Sequence, residues 1–178
     1  MVCVLAVPEL DLSNVVEFVN EYADRPREVA GEQRASYPDA AALLDWSSEV
    51  PIPPPGDLVA TANAIFAVFS SARDGSGLDE LNRQLRSVRP VPEVTNSGLR
   101  WTVAAPGDVL PAALATCLLT WLVDHDAARL GTCQASRCVD VYADNSPAGR
   151  RRFCSSTCLN RHKVSAHRER ASRVGRDQ

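Results

Sequence analysis

The chain lacks an uninterrupted run of the ~18 apolar residues that a membrane-spanning helix needs. Its best candidate, Val109 to Val123, contains Pro111 and two threonines and is followed by Asp124. The N-terminus has no basic segment, and its apolar run stops at Pro8, too early for the core of a secretion signal. These absences predict a cytoplasmic protein with no membrane partner. There is no Gly-x-Ser-x-Gly, no phosphate-cradling glycine loop and no His-Glu-x-x-His. His125 lies between Asp124 and Asp126, but adjacent residues on a helix point about 100° apart and do not converge. The expectation is therefore that the chain is not an enzyme, with His125 at a solvated helix end. Lysine is nearly missing as well: eighteen of the nineteen basic residues are arginine, a bias that by itself says nothing about phosphate chemistry. Internal repeats and low-complexity segments are absent.

Against this background four cysteines crowd the last quarter as Cys133-x4-Cys138-x15-Cys154-x3-Cys158. Two close thiol pairs at this separation match a four-sulfur zinc site, because Zn²⁺ accepts four thiolates tetrahedrally and carries no redox chemistry of its own. Two disulfides are the alternative. They belong to oxidising compartments, to which this sequence shows no route. Cys3 and Cys117 stand apart and are expected to be packed or incidental thiols.

The net charge of −3 hides a division. From Arg129 to Gln178 eleven basic residues face four acidic ones, a net of +7, which leaves −10 on the preceding residues. A polyanion responds to the local field of the face presented to it, so the C-terminal part is the one suited to meet phosphate. The acidic part is expected to avoid nucleic acid.

With 45% hydrophobic residues the chain can bury an ordinary core. Leu12, Val15, Val16, Val19 and Tyr22 repeat at helical spacing between Asp11 and Ala23. Further helices are expected over Pro38 to Val50, over Leu58 to about Arg73 with Asp57 as N-cap, and through the stripe Leu78, Leu81, Leu85 and Val88. Val91 to Val94 and Leu99 to Ala104 flank Asn96-Ser97-Gly98, a short β-hairpin. The longest helix is expected from Asp108 to Leu130, ended by Gly131 and joined to the first zinc thiol without a linker.

Between the thiol pairs, Val139 to Ala143 and Arg150 to Phe153 flank a turn-rich stretch, which suggests a hairpin leading into Cys154. A helix should begin near Cys154 and carry both last thiols on one face, where its dipole favours thiolate. Knuckle, hairpin and helix N-terminus in this order form a treble-clef arrangement. Arg150, Arg151 and Arg152 can offset part of the cage's formal −2 charge. Beyond Leu159 the helix carries Arg161, Lys163, His167, Arg168 and Arg170 around a narrow seam of Val164, Ala171 and Val174, a pattern suited to a phosphate backbone.

Gly149-Arg-Arg-Arg-Phe-Cys-Ser155 and Cys158-Leu-Asn-Arg-His-Lys-Val-Ser-Ala-His-Arg168 resemble the CGNR zinc finger, with Leu159 standing at the glycine of the Cys-Gly-Asn-Arg run. Glu17-Phe-Val-Asn-Glu21 resembles the start of the ABATE domain, a mostly helical partner of that finger. The resemblance implies bacterial, stress-induced transcription regulation. It also implies an ABATE-like helical regulatory domain over residues 1–130, a CGNR-type zinc finger with a basic helix over 131–178, and a binding role for Asn20.

The expected fold is thus mainly α, a helical N-terminal domain with a small β-hairpin followed by a treble-clef-like finger. The expected function is zinc-dependent, DNA-binding transcriptional regulation that responds to stress or a ligand. One structural Zn²⁺ on Cys133, Cys138, Cys154 and Cys158 is the cofactor. Arg150, Arg151, Arg152, Arg161, Lys163, His167, Arg168 and Arg170 are the DNA contacts, and a small-molecule effector in the N-terminal domain and a second copy of the chain are further partners. Localisation is cytoplasmic, on the nucleoid when DNA is bound. The alternative is a protein-interaction module whose basic helix docks an acidic surface. RNA binding is less suited, because the module offers only Tyr142 and Phe153 for stacking.

Overall fold

In the computed structural model, residues 4–96 and 98–174 are described, with side chains as far as residue 165. About half of these residues are helical, with two small sheets. The elements run β1 (Leu5–Val7), α1 (Leu12–Tyr22), α2 (Asp24–Ala30), α3 (Ala40–Leu44), α4 (Pro55–Ser70), α5 (Gly77–Val88), β2 (Val91–Thr95), β3 (Gly98–Val103), α6 (Val109–Asp124), β4 (Leu130–Thr132), β5 (Val141–Ala143) and α7 (Ser156–Val174).

α1 forms where its apolar spacing places it, capped by Asp11, whose carboxylate accepts from the Ser13 N–H at 2.7 Å. Val15, Phe18, Val19 and Tyr22 are buried. Ala23 is extended and serves at once as the C-cap of α1 and the N-cap of α2. α2 escapes sequence reading because Pro26 looks like a breaker, yet it falls in the first turn, where no intrahelical N–H bond is lost.

The helix expected over Pro38 to Val50 contracts to α3, since Asp45 turns into the left-handed region at φ 49° and ends it. α4 starts earlier than expected. Pro54 is its N-cap, Pro55 takes the first-turn position that suits proline, and Asp57 lies within that turn. The expected β-hairpin is present as β2–β3, with Val94 opposite Leu99, and β1 adds to β3 with Leu5 opposite Val103 to complete an antiparallel sheet of order β1-β3-β2.

α6 is shorter than expected because His125 adopts extended geometry and Asp126 accepts the Ala128 N–H at 2.8 Å, starting a 3-10 turn. Instead of ending a helix, Gly131 lies within β4. With the 3-10 turn before it, the run Pro106–Asp124 is long and apolar enough by composition to cross a membrane, contrary to the expectation from sequence. In the fold it is the central core helix: Leu110, Leu114, Ala115 and Leu118 pack with Phe18, Val19, Ile65, Val68 and Phe69.

The same core takes in Leu130, Val141 and Ala143 of the β4–β5 ribbon. The element that leads into the cysteine cluster is therefore packed against α1 and α4. Asn20 secures this docking. Its amide nitrogen donates to the Val141 carbonyl at 3.2 Å, and its amide oxygen accepts the Val141 N–H at 2.6 Å. A small antiparallel ribbon leaves edge groups unpaired, and one side chain of α1 satisfies both groups of one residue.

Replacing Asn20 with alanine strands the Val141 N–H and carbonyl at a half-buried seam. The expected loss is about 1–3 kcal/mol of unfolding free energy, read as a lower urea midpoint with an unchanged denaturant slope.

Candidate metal centre

β4 and β5 pair as Leu130 with Ala143, Gly131 with Tyr142 and Thr132 with Val141. The loop between them is the first half of the cage. Past Thr132 the Cys133 N–H donates to the Asp140 carbonyl at 2.8 Å, so the ribbon closes directly beneath the first thiol. Arg137 takes φ 62°, a left-handed turn that reverses the chain just before Cys138. The hairpin expected between Val139–Ala143 and Arg150–Phe153 does not form. The partner of β5 is β4, and the arginine strap makes a single backbone bond of another kind, from Gln134 N–H to the Arg152 carbonyl at 3.0 Å. The physical reason is that β5 is already paired with β4, and Asp144 to Gly149 forms a turn held by the Asp144 side chain, whose carboxylate takes the Arg151 N–H that a hairpin would have used.

That turn is organised by Asp144, which is buried. Its carboxylate accepts the Ser146 N–H at 2.9 Å and the Arg151 N–H at 2.7 Å. Burial alone would raise its pKa, but the hydrogen bonds from Ser146 and Arg151 and the charge of Arg129 outweigh it and hold the carboxyl below its ordinary value. Arg129 donates to the carbonyls of Asp144 and Ser146 at 3.1 and 2.6 Å. Gly149 closes the turn at φ 58°, and a Cβ there would lie 3.2 Å from the Arg129 guanidinium carbon, so both backbone and space favour glycine.

The second half of the cage follows. Cys154 precedes α7, Ser155 caps it by accepting the Cys158 N–H on its hydroxyl at 3.2 Å, and Cys158 lies in the first turn. Only Cys158 is thus within the helix, where both thiols were expected. The four sulfurs still converge, all within 4.8 Å of one another, with Cys138–Cys154 and Cys154–Cys158 separations of 3.6 Å. A tetrahedral zinc site with metal–sulfur bonds of ~2.3 Å has sulfur–sulfur edges of ~3.8 Å. Cys133, Cys138 and Cys158 are buried, Cys154 is half-buried, and Phe153 and Ala135 pack against the cluster.

Donor chemistry agrees with the geometry. Burial drives the Cys138 thiol up, and burial with its neighbouring sulfurs pushes Cys154 up to about 12. Four sulfurs brought this close, two of them with thiols held protonated by burial, become thiolates together only around a cation that repays their desolvation and mutual repulsion. The cage fits one structural Zn²⁺, closed by protein ligands with no position left for substrate.

The three consecutive arginines divide by role. Arg151 serves the cage: its guanidinium donates to the carbonyls of Phe153 at 2.9 Å, Ala143 at 3.2 Å and Cys154. It also stands over the Tyr142 ring, 5.3 Å from the centroid. Tyr142 is buried and donates to the Arg151 carbonyl at 2.8 Å, while Arg73, from the turn after α4, donates to the Tyr142 hydroxyl and to the Arg151 carbonyl at 3.0 Å. Room for this crossing comes from Gly131, where a Cβ would meet the Tyr142 hydroxyl at 3.0 Å.

The side chains of Arg150, Arg152, Arg161 and Lys163 are exposed, and among the described residues they make neither ion pair nor hydrogen bond. His162 rests against Phe153 with ring centroids 5.0 Å apart. The side chains of His167, Arg168 and Arg170, like those of Ala171 and Val174, lie outside the described residues, and their backbone continues α7. Cys117 is a core thiol bonded to the Leu10 carbonyl at 3.2 Å, and burial pushes it up to about 12; Cys3 lies outside the described residues. His125 is half-buried, stacked on Trp121 at 4.2 Å, with its Nδ1 2.8 Å from the Trp121 carbonyl. Asp144 and Arg73 were not singled out from sequence, and Tyr142 was named there only as a ring for stacking. The Asp144-Asn-Ser-Pro run carries a turn signal, whereas Arg73 has none.

The site is that of a zinc-binding module held by four thiolates. Residues 129–171 match the family model of the CGNR zinc finger. A comparison with curated proteins gives no match.

Alanine at Asp144 removes the acceptor for two backbone N–H groups and is expected to cost about 1–3 kcal/mol at neutral pH, measured by urea unfolding of the zinc-loaded protein. Because the native pKa is lowered, the stabilisation is complete above the unfolded value near 3.9 and is lost only as pH falls through the native one. The gap between wild type and variant is therefore constant from pH 6 to 8.

Proposed function

We propose that the chain is a zinc-dependent, DNA-binding transcriptional regulator. Its C-terminal unit is a treble clef, and its acidic body tunes DNA binding in response to stress or a small ligand. The observation that carries this reading is the set of cations around the zinc-anchored start of α7. Arg150, Arg152, Arg161 and Lys163 are exposed and without internal partners among the described residues, next to a rigid cage that fixes where they stand. Cations that a fold needs for itself find carbonyls or carboxylates, as Arg151 and Arg129 do. Those left unpaired suit phosphate, and the wide basic face of α7 suits positioning along a duplex.

Responsiveness is supported by a cleft of about 700 Å³ between α1 and the finger. Its walls include Asn20 and Val16 from the body and Cys158 and Arg161 from the finger. A small molecule seated there touches both parts. The Asn20 amide is already bonded to Val141, so the part of Asn20 in such a site is to hold the wall in place. The resemblance of Glu17 to Glu21 to an ABATE domain agrees with a regulatory body. We further propose a homodimer, because one finger covers little DNA, and a cytoplasmic, nucleoid-associated location without a catalytic role.

Fluorescence anisotropy with duplex DNA tests the reading. Binding is expected to weaken with salt along a log–log slope of about −0.9 per phosphate contacted. The double variant Arg161→Ala, Lys163→Ala should flatten that slope by about 2 while leaving the urea midpoint unchanged. Salt-insensitive binding, or none, favours docking of the basic helix on an acidic protein surface.

A further inference from the structure

Arg73 belongs to the acidic body, yet it stands at the seam with the finger. Its Nη2 bonds the Tyr142 hydroxyl and the Arg151 carbonyl, which leaves Nη1 and Nε without partners among the described residues. Around it is a concavity of about 630 Å³ lined by Arg73, Ala128, Gly149, Arg150, Arg151 and Arg152. A second concavity of about 410 Å³ shares Arg150, Arg151 and Arg152 and continues to Ser155 and Ser156 at the start of α7. Among the described residues no acidic residue lines either one. The two adjoin along Arg150 to Arg152, one reaching Arg73 on the body and the other the start of α7, the positive end of a long helix.

We propose that the nucleic-acid interface extends onto the body, with Arg73, Arg150 and Arg152 gripping consecutive phosphodiesters of the strand that α7 addresses. This rests on the DNA-binding reading above and deepens it. Four arginines line these concavities with no acidic residue among the lining residues, which makes a positive field that a chain of phosphates neutralises in sequence, and the unengaged planar forks of Arg150 and Arg152 suit phosphate. Arg151 contributes charge but not its donors, since carbonyls already hold them. The role of Arg73 is double. It pins the finger to the body through the Nη2 bonds to Tyr142 and Arg151, and it has Nη1 left to donate to the ligand. Contact by a residue so placed fixes the orientation of the body on the duplex, which a finger on a loose tether would leave free.

Arginine-selective modification with phenylglyoxal, read by peptide mass spectrometry on the zinc-loaded wild-type protein, tests this directly. With saturating duplex DNA, Arg73, Arg150 and Arg152 are expected to become several-fold less reactive, while Arg86 on α5 is unchanged. Arg73 as reactive with DNA as without it overturns the inference. Equal protection by inorganic phosphate at the same phosphate concentration also overturns it, since the concavities would then be a small-anion site. A second arm uses the salt dependence of DNA affinity: Arg73→Gln is expected to flatten the log–log slope by about 1 and Arg73→Lys to restore it. If Arg73→Gln keeps the wild-type slope while Arg161→Ala, Lys163→Ala flattens it, the DNA-binding reading stands and the extension onto the body fails. If the wild-type protein binds no DNA, both fall. Zinc content and circular dichroism of the Arg73 variants separate lost contact from lost folding; the wild-type modification result decides should Arg73→Gln misfold.

Discussion

The convergence of four sulfurs within 4.8 Å is the constraint from which the C-terminal quarter takes its shape. That segment offers the cage little apolar material: among the described residues only Ala135, Phe153 and the cysteines gather around it. Chain entropy of roughly 1–2 kcal/mol per ordered residue has no comparable hydrophobic return there, so metal–thiolate bonding must supply the difference. Everything that positions cations downstream, from the Ser155 cap to the exposed arc of Arg161 and Lys163, depends on Cys154 and Cys158 being tied to Cys133 and Cys138.

What distinguishes this arrangement from an independent bead on a string is the dual membership of the β4–β5 ribbon. At one end its residues Leu130, Val141 and Ala143 belong to the helical core; at the other, Cys133 and Cys138 belong to the cage. Asn20 and Arg73 reinforce the junction from opposite sides, one by pairing with a strand's backbone and the other by crossing Gly131 to reach Tyr142. Body and finger consequently share packing. A change at α1 has a physical path to the start of α7, along β5, Asp144 and the Arg151 strap.

Legibility from sequence followed the range of each signal. The zinc ligands were readable because cysteine spacing is local and chemically distinctive, and α1 and the β2–β3 hairpin because their periodicity is sustained. The ends of α6 and α3 were misplaced: single residues leave helical geometry in ways the pattern does not encode, His125 turning extended while stacked on Trp121 and Asp45 turning left-handed to close α3 through its backbone N–H. Strands of three residues have no period to detect, so β1 was missed and β5 was given the wrong partner. Three consecutive arginines are identical on paper. Only the carbonyls of Ala143, Phe153 and Cys154 reveal that the middle one is structural and its neighbours free. Arg73, sixty-nine positions from Tyr142, joins the site through tertiary packing alone.

The central claim concerns the coordination sphere, and X-ray absorption at the zinc edge of the purified protein addresses it most directly. The account predicts one zinc per chain with four sulfur neighbours at about 2.3 Å and no oxygen or nitrogen in the first shell. A shell mixing sulfur with lighter atoms, or protein without stoichiometric metal whose α7 stays ordered after chelation, would contradict it.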